Sequence, residues 1–153
     1  MAVVRVAQVL PAPVHEAEKC WYNTDRWPVW VDQLDRVVEV RGDWPKPGSE
    51  VIWVSGPAGR GQVSERVAAY EPRSGQTLEV EDDSIAGRQT VTFSPSGEGV
   101  VVELALDYRI KRRNPFTGLI DLLFIRRLMA GSLRSTMGRF GTELEASRSA
   151  GVG

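Results

Sequence analysis

The chain is short of cysteine, histidine and net charge. Its 153 residues hold one Cys, one His, and 19 lysines and arginines against 20 aspartates and glutamates. Each shortage removes a class of function. A lone Cys20 excludes an internal disulfide. With His15 as the single histidine, a zinc site built from His and Cys is not expected, and no carboxylate spacing suggests another metal or cofactor site. The even charge balance argues against nucleic acid as a partner, since such binders carry a basic excess. No run of about 20 apolar residues is present, so no membrane-spanning helix is expected. The opening MAVVRVAQVL lacks a basic stretch leading into a long apolar segment and a cleavage site, so a cytoplasmic location is expected. Motifs for phosphate loops, zinc proteases and serine hydrolases are missing. GPAGRG (56–61) lacks the lysine–serine ending and a following helix, and reads as a hairpin turn.

What is present is a sequence of clear periodicities in a length that suits one domain. Residues 2–10 alternate Val4, Val6 and Leu10 with Arg5 and Gln8, as a half-buried strand does. Pro11 and Pro13 end it, and Val14–Tyr22 turns helical. A second short helix is expected over Asp25–Val31, with Asp25 as its N-cap and Pro28 in its first turn. Strands are then expected near 35–41, 49–55, 61–71, 76–82, 88–94 and 100–111, separated by Gly- and Pro-rich turns, which reads as an antiparallel meander. In the last strand Val100, Val102, Leu104, Leu106, Tyr108 and Ile110 share one face while Glu103, Asp107, Arg109 and Lys111 share the other.

Beyond Pro115 the period changes to 3.6, and residues 117–147 read as one helix roughly 45 Å long. Its apolar stripe runs through 119, 122, 123, 129, 130, 133, 137, 140 and 144. Gly131, Gly138 and Gly141 each cost about 1 kcal/mol in a helix and suggest a bend or a close approach to a sheet. The fold class is therefore α+β: a curved antiparallel sheet of about seven strands covered by a long C-terminal helix, with two short helices after the first strand. A sheet curved around a helix encloses an apolar pocket unless large side chains fill it.

The order of segments resembles the START-like, helix-grip superfamily, in its bacterial polyketide cyclase/dehydrase and lipid-transport branch. The carriers are the opening strand with Pro13-Val14-His15-Glu16, the stretch Asp25-Arg26-Trp27-Pro28-Val29-Trp30, and Pro47-Gly48-Ser49-Glu50. Glu65-Arg66-Val67 leading to Tyr70-Glu71-Pro72 follows, and then the Leu- and Arg-rich C-terminal helix. The resemblance covers about residues 2–147 and rests on the order of these motifs. It implies one helix-grip domain over 1–148, with 149–153 as a frayed tail. It also implies a deep cavity holding a lipid, polyketide or steroid-like molecule. Some relatives of this kind are cyclases or aromatases and many only carry a ligand; the resemblance transfers no catalytic residue. The expected function is binding of a hydrophobic small molecule. The alternatives are a polyketide cyclase, aromatase or dehydratase using the same cavity, and an interaction module with its cavity filled.

Strand alternation nominates the residues that would contact such a ligand: Val51, Trp53, Val67, Val80, Val91, Phe93, Val102, Leu104, Leu106 and Tyr108, with Met129 and Leu133 from the helix. Glu65, on one face with Val63 and Val67, is an acid on an apolar face: either it sits at a wet edge, or it lies inside the pocket, where desolvation would raise its pKa and make it a candidate proton donor or acceptor. A bulge in that strand would turn it outward. Tyr108 and Arg126 are the other catalytic candidates, Arg126 alternatively extending to solvent. Trp27 and Trp30, three apart, either form a lid on the pocket or anchor a short helix on the sheet, the ordinary use of such a pair. His15 is expected at the surface and Cys20 as a small buried residue. Lys111-Arg112-Arg113, with Arg126 and Arg127, flanks PFTGLIDLLFI, a mixture suited to transient contact with an anionic membrane or to a solvated rim.

Overall fold

A computed structural model of the chain describes residues 2–56, 61–111 and 119–151, with the side chains of the last segment described over 122–150. The seven strands are β1 (Ala2–Leu10), β2 (Leu34–Arg41), β3 (Glu50–Ser55), β4 (Gln62–Glu71), β5 (Gly75–Glu81), β6 (Ile85–Ser96) and β7 (Gly99–Ile110). All pair antiparallel in the order β1-β7-β6-β5-β4-β3-β2. The edge strands β1 and β2 are adjacent in sequence. The chain crosses from one edge to the other through α1 (Val14–Trp21), a 3-10 turn (Thr24–Arg26) and α2 (Trp27–Trp30). The long helix α3 (Leu119–Gly151) packs on β1, α1 and α2. This is the α+β arrangement expected from the periodicities.

The differences from expectation have local causes. Asn23, not Asp25, caps the second helical segment, its Oδ1 accepting from the Asp25 backbone N–H at 3.3 Å. Strand β6 begins at Ile85 rather than 88. The Asp82 carboxylate accepts from the backbone N–H groups of Ser84 and Ile85 at 2.7 and 2.8 Å, which tightens the turn. The helix continues to Gly151, into the segment expected to fray. Residues 57–60 of the expected hairpin turn, Arg112 and Arg113, and the expected helix start at 117 lie outside the described residues.

The apolar stripe of α3 is only half used. Leu133, Met137, Phe140 and Leu144 are buried, whereas no residue between 122 and 132 is, and Leu123 is 55% exposed. Gly141 explains the close seating of the buried half: a Cβ there would stand 3.2 Å from Gln8 Nε2 and from Leu10 Cδ2 of β1. Gly138 faces open space and has no such reason.

Candidate functional site

The site grows from the aromatic cluster on α1 and α2. Trp21, Trp27 and Trp30 are buried, and the Trp21 ring lies 4.8 Å from Trp30 and 4.9 Å from Phe140 of α3. Trp27 is fixed by its indole N–H, which donates to the Trp21 carbonyl at 2.8 Å. Two polar ties hold this segment to α3. Arg26 makes a fork to Glu143, Nε to Oε1 and Nη2 to Oε2, each 3.1 Å. Asp32, just beyond α2, accepts from Ser132 Oγ at 2.8 Å, and its backbone N–H donates to Thr136 Oγ1 at 2.9 Å. Arg139 approaches the same carboxylate at 3.8 Å.

These ties close one side of a cavity between α3 and the sheet. Trp21, Trp27, Trp30, Val31 and Asp32 form that side, and Met129, Ser132, Leu133 and Thr136 of α3 cover it. The sheet contributes Trp53, Glu65, Leu78, Val80, Gln89, Leu104 and Leu106. The space measures about 50 Å³. It is room for a few water-sized groups at about 10–15 Å³ each, far below the roughly 300–1,000 Å³ of drug-sized pockets. A larger groove of about 790 Å³ lies outside, between the end of β1 and the last turns of α3, where Arg148 and Glu145 line it.

Glu65 points inward because β4 stays regular through it. It pairs with Val51 and Val80, and the register shift falls later, between Val67 and Ala69. Glu65 is accordingly 6% exposed. Of the nominated contact residues, Trp53, Val80, Leu104, Leu106, Met129 and Leu133 line the cavity. Val51, Val67, Val91, Phe93, Val102 and Tyr108 are buried in the core but are not among the lining residues. Arg126 is exposed and likewise absent from the lining, so Glu65, Tyr108 and Arg126 are not brought together there. Burial raises the pKa of the Tyr108 phenol, an effect that the Arg126 charge partly offsets. Trp27 and Trp30 are buried, as packing residues are, and both line the cavity.

Sequence reasoning did not nominate Asp32, Ser132 and Thr136. Asp32 is about 100 positions from its partners. The readable signal was on the helix, where Ser132 and Thr136, four apart, interrupt a stripe bounded by Met129, Leu133 and Met137. Cys20 is half-buried rather than buried, and its thiol pKa is raised to about 11, first by desolvation, then by Glu143, with Arg26 opposing. His15 is exposed, as expected.

Residues 1–145 match the model of the family described as polyketide cyclase / dehydrase and lipid transport. The chain belongs to that family. Its architecture is similar to that of a protein from Thermus thermophilus (TM-score 0.76, 19% identity, covering 95% of this chain and 99% of the other). It is also similar to the di-domain ARO/CYC StfQ from the steffimycin biosynthetic pathway (TM-score 0.75, 16% identity, 96% and 52% covered). Norcoclaurine synthase of Thalictrum flavum is a third (TM-score 0.71, 12% identity, 96% of each chain covered). These likenesses establish the START-like helix-grip fold. No curated protein matches the sequence. Among the described residues, no helix is long and apolar enough to cross a membrane.

Proposed function

We propose that this family member binds and carries a compact hydrophobic molecule between α3 and the sheet. The observation that carries this reading is the cavity wall, where apolar side chains outnumber polar ones by eleven to five. Apolar burial at about 25 cal/mol per Å² supplies affinity, and Glu65, Gln89, Asp32, Ser132 and Thr136 supply orientation. A ligand larger than the enclosed space displaces a wall. The wall that yields is the half of α3 over 122–132, which buries no residue, while Leu133 to Leu144 stay seated on the core. The same half exposes Leu123, Phe124 and Leu128 beside Arg126 and Arg127, a mixture suited to an anionic membrane during exchange of the ligand.

Carriage is favoured over catalysis because Glu65 alone of the three catalytic candidates lines the cavity. Native mass spectrometry of the purified protein tests the reading. A bound apolar adduct that is released on mild activation is the expected result. An adduct-free protein that also takes up no small aromatic ligand in titration would refute it.

A further inference from the structure

The two outer edges of the sheet are built differently. Among the described residues, no strand pairs with the outer side of β1 or of β2. Edge β2 is defended. Its pairing with β3 breaks register between Leu34 and Arg36 and again between Val37 and Glu39, and Asp35, Arg36, Glu39 and Arg41 charge half of its eight residues. Edge β1 has neither device. It pairs with β7 from Ala2 through Leu10 without a register shift, and Arg5 is its single charge. Val3 and Val9 on its outward face are 38% and 65% exposed. The Lys111 N–H donates to the Ser84 carbonyl at 2.9 Å, continuing the β6–β7 ladder, so the odd-numbered residues of β7 bond β6 and the even-numbered ones bond β1. Even-numbered residues of β1 lie opposite even-numbered residues of β7. Val3, Arg5, Ala7 and Val9 therefore direct their backbone N–H and C=O groups off the edge.

We propose that β1 pairs antiparallel with β1 of a second copy of this chain, about a two-fold axis at Val6, so that one sheet runs through a homodimer. The strand is self-complementary in this register. Val3 meets the partner's Val9, which covers both exposed valines. Arg5 meets the partner's Ala7, beyond which lies Glu103 of the partner subunit, the residue opposite Ala7 on β7. All four outward-directed residues then exchange backbone hydrogen bonds. Sliding by two residues one way sets Arg5 against the partner's Arg5, and these like charges oppose pairing; sliding the other way leaves Val3 without a mate. The helices leave room for the contact. In each copy α3 seats on β1 at Gln8 and Leu10, beside Gly141. In the dimer these two seats stand about 20 Å apart along the strands, more than a helix width of about 10–12 Å. The outer groove of about 790 Å³ beside Val9 and Leu10, walled by Gly138 and Thr142, faces the incoming end of the partner strand. This contact is independent of the cavity and its ligand.

Sedimentation velocity of the intact protein over a roughly hundredfold range of concentration should show a reversible shift from monomer to dimer, since a strand-edge contact is small and obeys mass action. Ala7→Arg places a second cation opposite the partner's Arg5, twice per dimer, while gaining Glu103 as a neighbour within its own chain. It should weaken association about fivefold or more without lowering Tm. Val40→Arg adds the same charge to the exposed β2 edge and should leave association unchanged. Oxidative cross-linking on a Cys20→Ala background reads the register. Val6→Cys sits on the axis with about 4.5 Å between Cα atoms and should give a disulfide-linked dimer. Gln8→Cys, about 14 Å from its symmetry mate, should not. Monomer at every concentration, which leaves the edge to a strand of another protein, overturns the inference. So does equal weakening by the two arginine variants, or cross-linking through Gln8→Cys equal to that through Val6→Cys. Should Val6→Cys not fold, the arginine pair decides the question alone.

Discussion

Removing Trp30 should cost stability before it alters ligand choice. The residue is 1% exposed, and its ring stands 4.8 Å from Trp21, 5.0 Å from Phe140 and 6.4 Å from Trp27. Burying a tryptophan withdraws on the order of 200 Å² from water, worth about 5 kcal/mol at about 25 cal/mol per Å². The aromatic contacts add about 1 kcal/mol. Against this, the buried indole N–H, which has no partner among the described residues, costs about 2 kcal/mol, which truncation relieves. Trp30→Ala should therefore destabilise by about 4 kcal/mol, within the range of about 3–5 for such truncations. In a chain of this length that lowers Tm by roughly 8–16 °C. Trp30→Phe keeps an aromatic ring and discards the unpaired donor, so it should cost only about 1–2 kcal/mol. Urea unfolding followed by far-UV circular dichroism reads both, because the substitution changes tryptophan fluorescence itself; the m-value should stay constant. A Trp30→Ala cost below about 1.5 kcal/mol, or a Phe variant as damaged as the Ala variant, would refute the reasoning.

Other expectations follow from single contacts. Gly138→Ala meets nothing within 4 Å and should stabilise α3 by about 1 kcal/mol, whereas Gly141→Ala, crowded at 3.2 Å by Gln8 and Leu10, should stabilise less or destabilise. Thermal melts of the pair decide this. Asp32→Ala removes the acceptor of Ser132 Oγ and should cost about 1 kcal/mol, with faster hydrogen exchange localised to the α2–β2 connection and the facing turn of α3. Cys20 should be sluggish towards thiol reagents. Raising its pKa from 9.0 to about 11 lowers the thiolate fraction at pH 8 by about 100-fold. Because the folded state favours the protonated thiol, its contribution to stability is full below pH 9 and is lost as pH rises towards 11. Labelling rates across pH 7–11 measure the shift. Binding to vesicles containing phosphatidylserine should weaken with salt and with Phe124→Glu, since Phe124 is 61% exposed beside the arginines. Salt-independent binding would contradict that part of the account.

Much of the fold was legible because it is written in local periodicity. The alternation of Val100 through Tyr108 specified the buried face of β7, whereas Glu65 could be placed on one face with Val63 and Val67 but not assigned to a wet edge or to the pocket. The cavity was less legible, because which inward residues line space rather than fill it depends on three-dimensional curvature. Val102 and Leu104 have the same strand pattern, yet only Leu104 lines the cavity. The aromatic cluster shows the same limit: spacing placed Trp27 and Trp30 together, but the position of Trp30 against Phe140 depends on α3, more than 100 residues away. The capping by Asn23 was missed because Asp25 and Asn23 are both good cap residues, and backbone geometry chose between them.

The central claim, that the space between α3 and the sheet takes up a compact hydrophobic molecule, is tested most directly by the indole N–H signals of the five tryptophans in a two-dimensional NMR titration with a small aromatic probe, tyrosol. Trp21, Trp27, Trp30 and Trp53 line the cavity, and Trp44 does not. Saturable shifts at those four, with Trp44 least affected, are the predicted result. Five unmoved signals, or shifts confined to backbone groups along the outer groove near Leu10 and Arg148, would contradict it.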